Sequence, residues 1–113
     1  MENIKKFLIT FDADKDDLEL LQDTLDMIWE SEIGSEVLTE LFTVFENNPE
    51  HDGFGVFWSI LHGIETIPGY EPELCNSIKR KPAEFNILMA KRIMNPKSIS
   101  SYKELISEAL NKI

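Results

Sequence analysis

The chain predicts an all-α domain of six or seven helices, on three observations. Apolar residues recur at i, i+3, i+4 and i+7 in one segment after another. Proline, glycine and asparagine break the chain at intervals of helix length. After residue 12 no run alternates apolar and polar as a half-buried strand would.

Taken in order, Ile4, Phe7, Leu8 and Phe11 share helical spacing, so residues 4–11 form a short helix, although the run Phe7–Phe11 also suits a strand. The acidic turn Asp12-Ala-Asp-Lys-Asp-Asp17 follows. Asp12, Asp14 and Asp16 match the first three ligands of a calcium loop. Its sixth position needs glycine and holds Asp17, and its twelfth needs glutamate and holds Asp23. Capping of the next helix is the better role for these aspartates.

That helix spans residues 16–30, with Leu18, Leu21, Leu25, Ile28 and Trp29 inward and Glu19, Asp23, Asp26 and Glu30 outward. Stacking like charges at this spacing costs a few tenths of a kcal/mol per pair. Gly34 breaks the chain, Ser35 is the expected N-cap of a third helix, and Val37, Leu38, Leu41, Phe42 and Phe45 form its core stripe with Glu36, Glu40 and Glu46 outside.

Asn47-Asn-Pro49 ends that helix, and the most apolar one follows over residues 53–67. Asp52 caps it, Phe57, Ile60, Leu61, Ile64 and Ile67 make its stripe, and Phe54, Val56 and Trp58 widen the stripe, which places it at the centre of the domain. The expected core is Phe54, Phe57, Trp58 and Leu61 here, joined by Phe85 and Leu88 later. Gly55, Ser59 and Gly63 recur every four residues and offer a low-bulk edge to a neighbouring helix.

Past Pro68-Gly69, Pro72 sits in the first turn of a helix over 71–81 that turns Leu74, Cys75 and Ile78 inward and ends in Lys79-Arg-Lys81. Pro82 starts the next helix, 83–94, with Phe85, Leu88, Met89 and Ile93 inward, and Asn95-Pro96 stops it. A last helix begins at Ser100 or Ser101, with Glu104 placed for a capping box, and carries Tyr102, Leu105, Ile106, Ala109, Leu110 and Ile113. The helix starts from residue 16 on step by 12 to 19 residues, so the 113 residues make one domain of stacked antiparallel pairs, either a HEAT-like short solenoid or an irregular bundle.

The net charge of −10 is unevenly spread. Through Asp52 there are 15 acidic residues against Lys5, Lys6 and Lys15, a net of −12; beyond it, six acidic and eight basic residues give +2. The asymmetry disfavours direct binding of nucleic acid, which needs clustered Lys and Arg. It serves solubility or steers a cationic partner. Cys75 is the single cysteine, which excludes an internal disulfide. With no signal-peptide core and no run of about 20 apolar residues, the expected location is cytoplasmic and no membrane contact is expected.

Candidate chemistry is sparse. His62 and Glu65 give His-x-x-Glu without the second histidine of a zinc pair, and His51 adds no third ligand at a recognisable spacing. Cys75 reads as a small inward hydrophobe. No phosphate loop, dinucleotide fingerprint or serine elbow occurs. No catalytic residue, metal or cofactor is therefore expected.

The block 46–95 carries a resemblance. Asp52-Gly-Phe-Gly-Val-Phe-Trp-Ser-Ile-Leu-His-Gly-Ile-Glu65, then Gly69-Tyr70, Leu74, Ser77, Arg80, Pro82, Phe85, Met89, Arg92 and Asn95, resembles small helical bacterial proteins of polymorphic and contact-dependent toxin–immunity loci. The resemblance implies a non-enzymatic immunity protein that binds and neutralises one cognate toxin domain. A cationic nuclease would meet the acidic half by charge complementarity. Glu19, Asp23, Asp26 and Glu30 are then the expected contacts, with an aromatic anchor among Trp29, Phe11 and Tyr70. A helical adaptor or scaffold binding a peptide or partner helix is the alternative. Nothing in the sequence fixes the oligomeric state.

Overall fold

The computed structural model describes residues 1–113 and contains seven helices and no strand. They are α1 (Glu2–Thr10), α2 (Leu18–Glu30), α3 (Leu38–Asn47), α4 (Val56–Glu65), α5 (Glu71–Arg80), α6 (Glu84–Met94) and α7 (Lys103–Asn111). Short 3-10 turns at Gly34–Val37 and Gly53–Gly55 lead into α3 and α4. Residues 2–10 settle as helix, not strand.

The helices form two layers. α3 lies between α1 and α5, and α5 also packs on α7; in the other layer α4 lies between α2 and α6. Contacts of α3 with α4 and α6, and of α6 with α5 and α7, close one layer on the other. The seven helices make the all-α bundle that the sequence predicts. The element at its centre is α3, which touches α1, α4, α5 and α6 and buries Leu41, Phe42, Val44, Phe45 and Glu46. The more apolar α4 touches fewer neighbours because one side of it faces solvent.

An aromatic cluster joins the layers. The rings of Phe45 and Phe85 stack at 5.4 Å, Phe57 meets both edge-on at 5.7 and 5.6 Å, and Trp58 meets Phe85 at 5.5 Å. Each such pair adds roughly 0.5–1.5 kcal/mol beyond the area it buries. Phe57, Leu61 and Phe85 are buried as expected. Leu88 is only half-buried, at the edge of the cluster.

Two expected core residues lie outside. Phe54 is 77% exposed and Trp58 is 41% exposed. The helix does not begin at Gly53: Gly53, Phe54 and Gly55 all adopt positive φ (67°, 47° and 89°), and this left-handed turn takes Phe54 off the helical stripe. Asp52 does cap the turn, its Oδ1 accepting from the Phe54 N–H at 2.9 Å. Trp58 sits on the solvent side of α4 and touches the cluster only through Phe85.

Glu46 departs from the expected outward placement and is 8% exposed. Arg80 grips it with two bonds, Nε to Oε1 at 3.1 Å and Nη2 to Oε2 at 2.9 Å, and Ser77 Oγ donates to Oε2 at 2.7 Å. Asn86 Nδ2 donates to Ser77 Oγ and to the Lys81 carbonyl, while Asn86 Oδ1 accepts from the Ala83 N–H. The network fixes the proline turn between α5 and α6 onto α3. Arg80 therefore acts on a buried carboxylate and not only at a helix end.

Two expected caps do not form. Ser35 lies inside the 3-10 turn, and α3 starts after Val37 with no side-chain cap. α7 starts after Tyr102, and Ser100 Oγ accepts the Tyr102 N–H at 3.1 Å in place of a box between Ser101 and Glu104.

Candidate functional site

The acidic turn closes on itself before α2. Asp12 N–H donates to Asp16 Oδ2 at 2.8 Å, Asp14 N–H to Asp12 Oδ1 at 2.9 Å, and Asp17 Oδ1 accepts from Glu19 and Leu20 N–H groups at the start of α2. Asn48 holds the turn from α3, its Oδ1 accepting from Ala13 N–H and its Nδ2 donating to the Phe11 carbonyl. The carboxylates of Asp12, Asp16 and Asp17 are thus engaged with backbone, and no three His, Cys, Asp or Glu side chains group as a metal site.

From this cap α2 runs with Leu21, Leu25 and Ile28 buried and with Glu19, Asp23, Asp26 and Glu30 all exposed. At 100° per residue these four acids fall in a stripe about 60° wide. No ion pair of the molecule includes any of them: the arginines are taken by Glu46, Glu73 and Glu65. Along one side of the stripe lie Leu20 and Met27, 51% and 39% exposed. Along the other lie Gln22 and Trp29, which face α4.

Between α2 and α4 is an open cleft of about 790 Å³ lined by Gln22, Asp26, Trp29, Glu32, Ser59 and His62, among others. The low-bulk edge of α4 makes the close approach possible. Trp29 lies over Gly63 so tightly that a Cβ there would overlap the indole, and Ser59 Oγ donates to Gln22 Oε1 at 3.0 Å. Gly55 takes no part; it has open space around it and serves the left-handed turn. The α4 wall continues outward through His62 to Trp58, whose rings lie 5.7 Å apart. One face therefore presents an acidic stripe, an apolar shoulder, a cleft floored by Trp29 and an exposed tryptophan.

Of the expected anchors, Trp29 is half-buried on this face. Phe11 is buried at 2% exposure, packed edge-on against Phe7, and cannot anchor a partner. Tyr70 is half-buried but lines a separate hollow with Glu65, Arg92 and Ile93. There Arg92 holds Glu65 by two bonds, 2.8 and 3.0 Å. Burial, with help from Glu71 and Glu65 and against Arg92, pushes the Tyr70 phenol up to about 12. Cys75 is buried and its thiol is pushed up by that burial, as suits an inert core residue.

Trp58 and Phe54 are the surface aromatics that residue type alone hides, since both look like core. Phe54 is held by the Asp52 cap and by the His51 ring, 5.3 Å away, while His51 Nδ1 accepts the Gly53 N–H at 2.8 Å. The signal that finds Phe54 is the Gly-Phe-Gly triplet, which marks a left-handed turn and not a helix start; Trp58 lies within α4, off its buried face of Phe57, Ile60, Leu61 and Ile64.

No helix is long and apolar enough to cross a membrane. Comparison with protein-family models, curated proteins and solved structures finds no match.

Proposed function

We propose that this chain is a non-enzymatic inhibitor that binds and neutralises one cognate bacterial toxin domain, docking its α2 face on a basic surface of the toxin. The observation that carries this function is the unpaired acidic stripe Glu19, Asp23, Asp26 and Glu30, bordered by exposed apolar side chains. Such a stripe costs the free protein stability through like-charge repulsion, and a cationic partner would offset the cost. Exposed Leu20 and Met27 on one side, and Trp58 beyond the cleft on the other, supply the apolar contacts that charge alone does not. The resemblance of residues 46–95 to small immunity proteins points the same way and places the action in the cytoplasm.

Growth rescue is the direct experiment. The chain is co-expressed with the toxin domain encoded by the gene immediately upstream of its own. Protection from that toxin and not from unrelated ones is the expected result; failure to protect at matched expression would remove the inhibitor role.

A further inference from the structure

We infer that the cleft between α2 and α4 receives an arginine side chain of the partner. The inference rests on the docking face proposed above for the partner's nature, and on the cleft's own chemistry for the arginine. Two carboxylates, Asp26 and Glu32, line the cleft, and neither appears in any ion pair of the molecule. No lysine or arginine lines it. Trp29 shares the lining with them and supplies an aromatic surface, locked over Gly63 and against Gly34. Ser59 of α4 and Gln22 of α2 add polar groups, joined by a hydrogen bond of 3.0 Å, and Gln22 Nε2 donates to Asp26 Oδ1 at 2.9 Å, which holds that carboxylate at the cleft.

A flat cation with donors on several edges suits such a site better than a compact ammonium. The guanidinium can stack on an indole while its N–H groups reach carboxylates to either side. The dimensions agree: about 790 Å³ open to solvent admits a whole arginine side chain with room for water. Glu32 is set at the cleft by the end of α2, where it takes the left-handed position (φ 57°) of a helix C-cap and the Ile33 N–H donates back to the Ile28 carbonyl at 3.2 Å.

The probe is Nα-acetyl-arginine amide, titrated into the full-length chain while the indole N–H resonance of Trp29 is followed by NMR and identified by Trp29→Phe. A saturable shift in the millimolar range is expected, with roughly tenfold weaker binding for the double variant D26N/E32Q. Both substitutions are isosteric and at the surface, so the fold is kept and its spectrum reports that. The neutral isostere Nα-acetyl-citrulline amide should shift the indole little. Equal binding of the citrulline compound, unchanged affinity in D26N/E32Q, or no saturable shift would each overturn the inference. The two proposals fail separately. A chain that takes the probe but gives no protection keeps this site and loses the inhibitor role, and one that protects without binding the probe loses this site alone.

Discussion

Gly63 is the residue on which the seating of α2 against α4 depends. A Cβ at this position would overlap the indole of Trp29, so Gly63→Ala must push the tryptophan out of its seat or separate α2 from α4. Overpacking of this kind costs about 1–3 kcal/mol. The expected outcome is a lower urea midpoint together with a shifted Trp29 indole resonance; an unchanged midpoint would mean that α2 is not seated on α4 as described. Tyr70 offers a second test. Its phenol is raised to about 12 by burial, so the folded state holds the proton more tightly than the unfolded chain, where tyrosine titrates near 10. The associated stability is therefore complete below pH 10 and is lost as pH rises through about 12. An absorbance titration should show a late phenol ionisation that Tyr70→Phe removes. Loss of no late component on that substitution would place Tyr70 in solvent.

The polar network under α5 and α6 is an element-scale device. Glu46 Oε2 receives both Ser77 and Arg80, and Asn86 carries the chain of bonds on to the backbone at Lys81 and Ala83. Glu46→Ala would leave the Ser77 hydroxyl without its acceptor and the Arg80 guanidinium with Glu73 alone. Because Arg80 is partly open to water the cost is moderate, about 2 kcal/mol, read as a shift in urea midpoint. A cost below about 0.5 kcal/mol would reduce the network to a surface pair. α2 behaves in the opposite way. D23N/D26N/E30Q removes stacked like charges and should stabilise the free chain by a few tenths of a kcal/mol per pair. The same variant should bind the toxin more slowly. A stripe kept for folding would lose stability on neutralisation; one kept for a partner gains it.

Across the whole molecule, helix existence and order are readable because Pro49, Pro68, Pro72, Pro82 and Pro96 fall at helix boundaries, where backbone chemistry decides locally. The outward acids of α2 are readable for a similar reason: periodicity alone sorts that helix into faces. What escapes is decided by tertiary context. Glutamate at residue 46 has the composition of a surface position and becomes core only because Arg80 and Ser77 arrive from α5. Phe54 and Trp58 have core composition and lie outside: three consecutive positive φ angles carry Phe54 away before α4 begins, and Trp58 falls on the solvent side of α4 beside His62. Ser35 and Ser101 look like caps but are displaced by 3-10 and turn geometry at those starts. The surface aromatics were thus the least legible part of the candidate site, and the acidic stripe the most.

The proposed steering of the chain onto a cationic toxin by the α2 stripe is read in association kinetics. The measurement is the on-rate toward the purified upstream-encoded toxin domain at low and at high ionic strength, for the natural chain and for D23K/D26K/E30K. Steering by the stripe should make the on-rate of the reversed variant at least about tenfold lower at low salt, with the two converging as salt screens the charges. An on-rate at low salt unchanged by the reversal would contradict it.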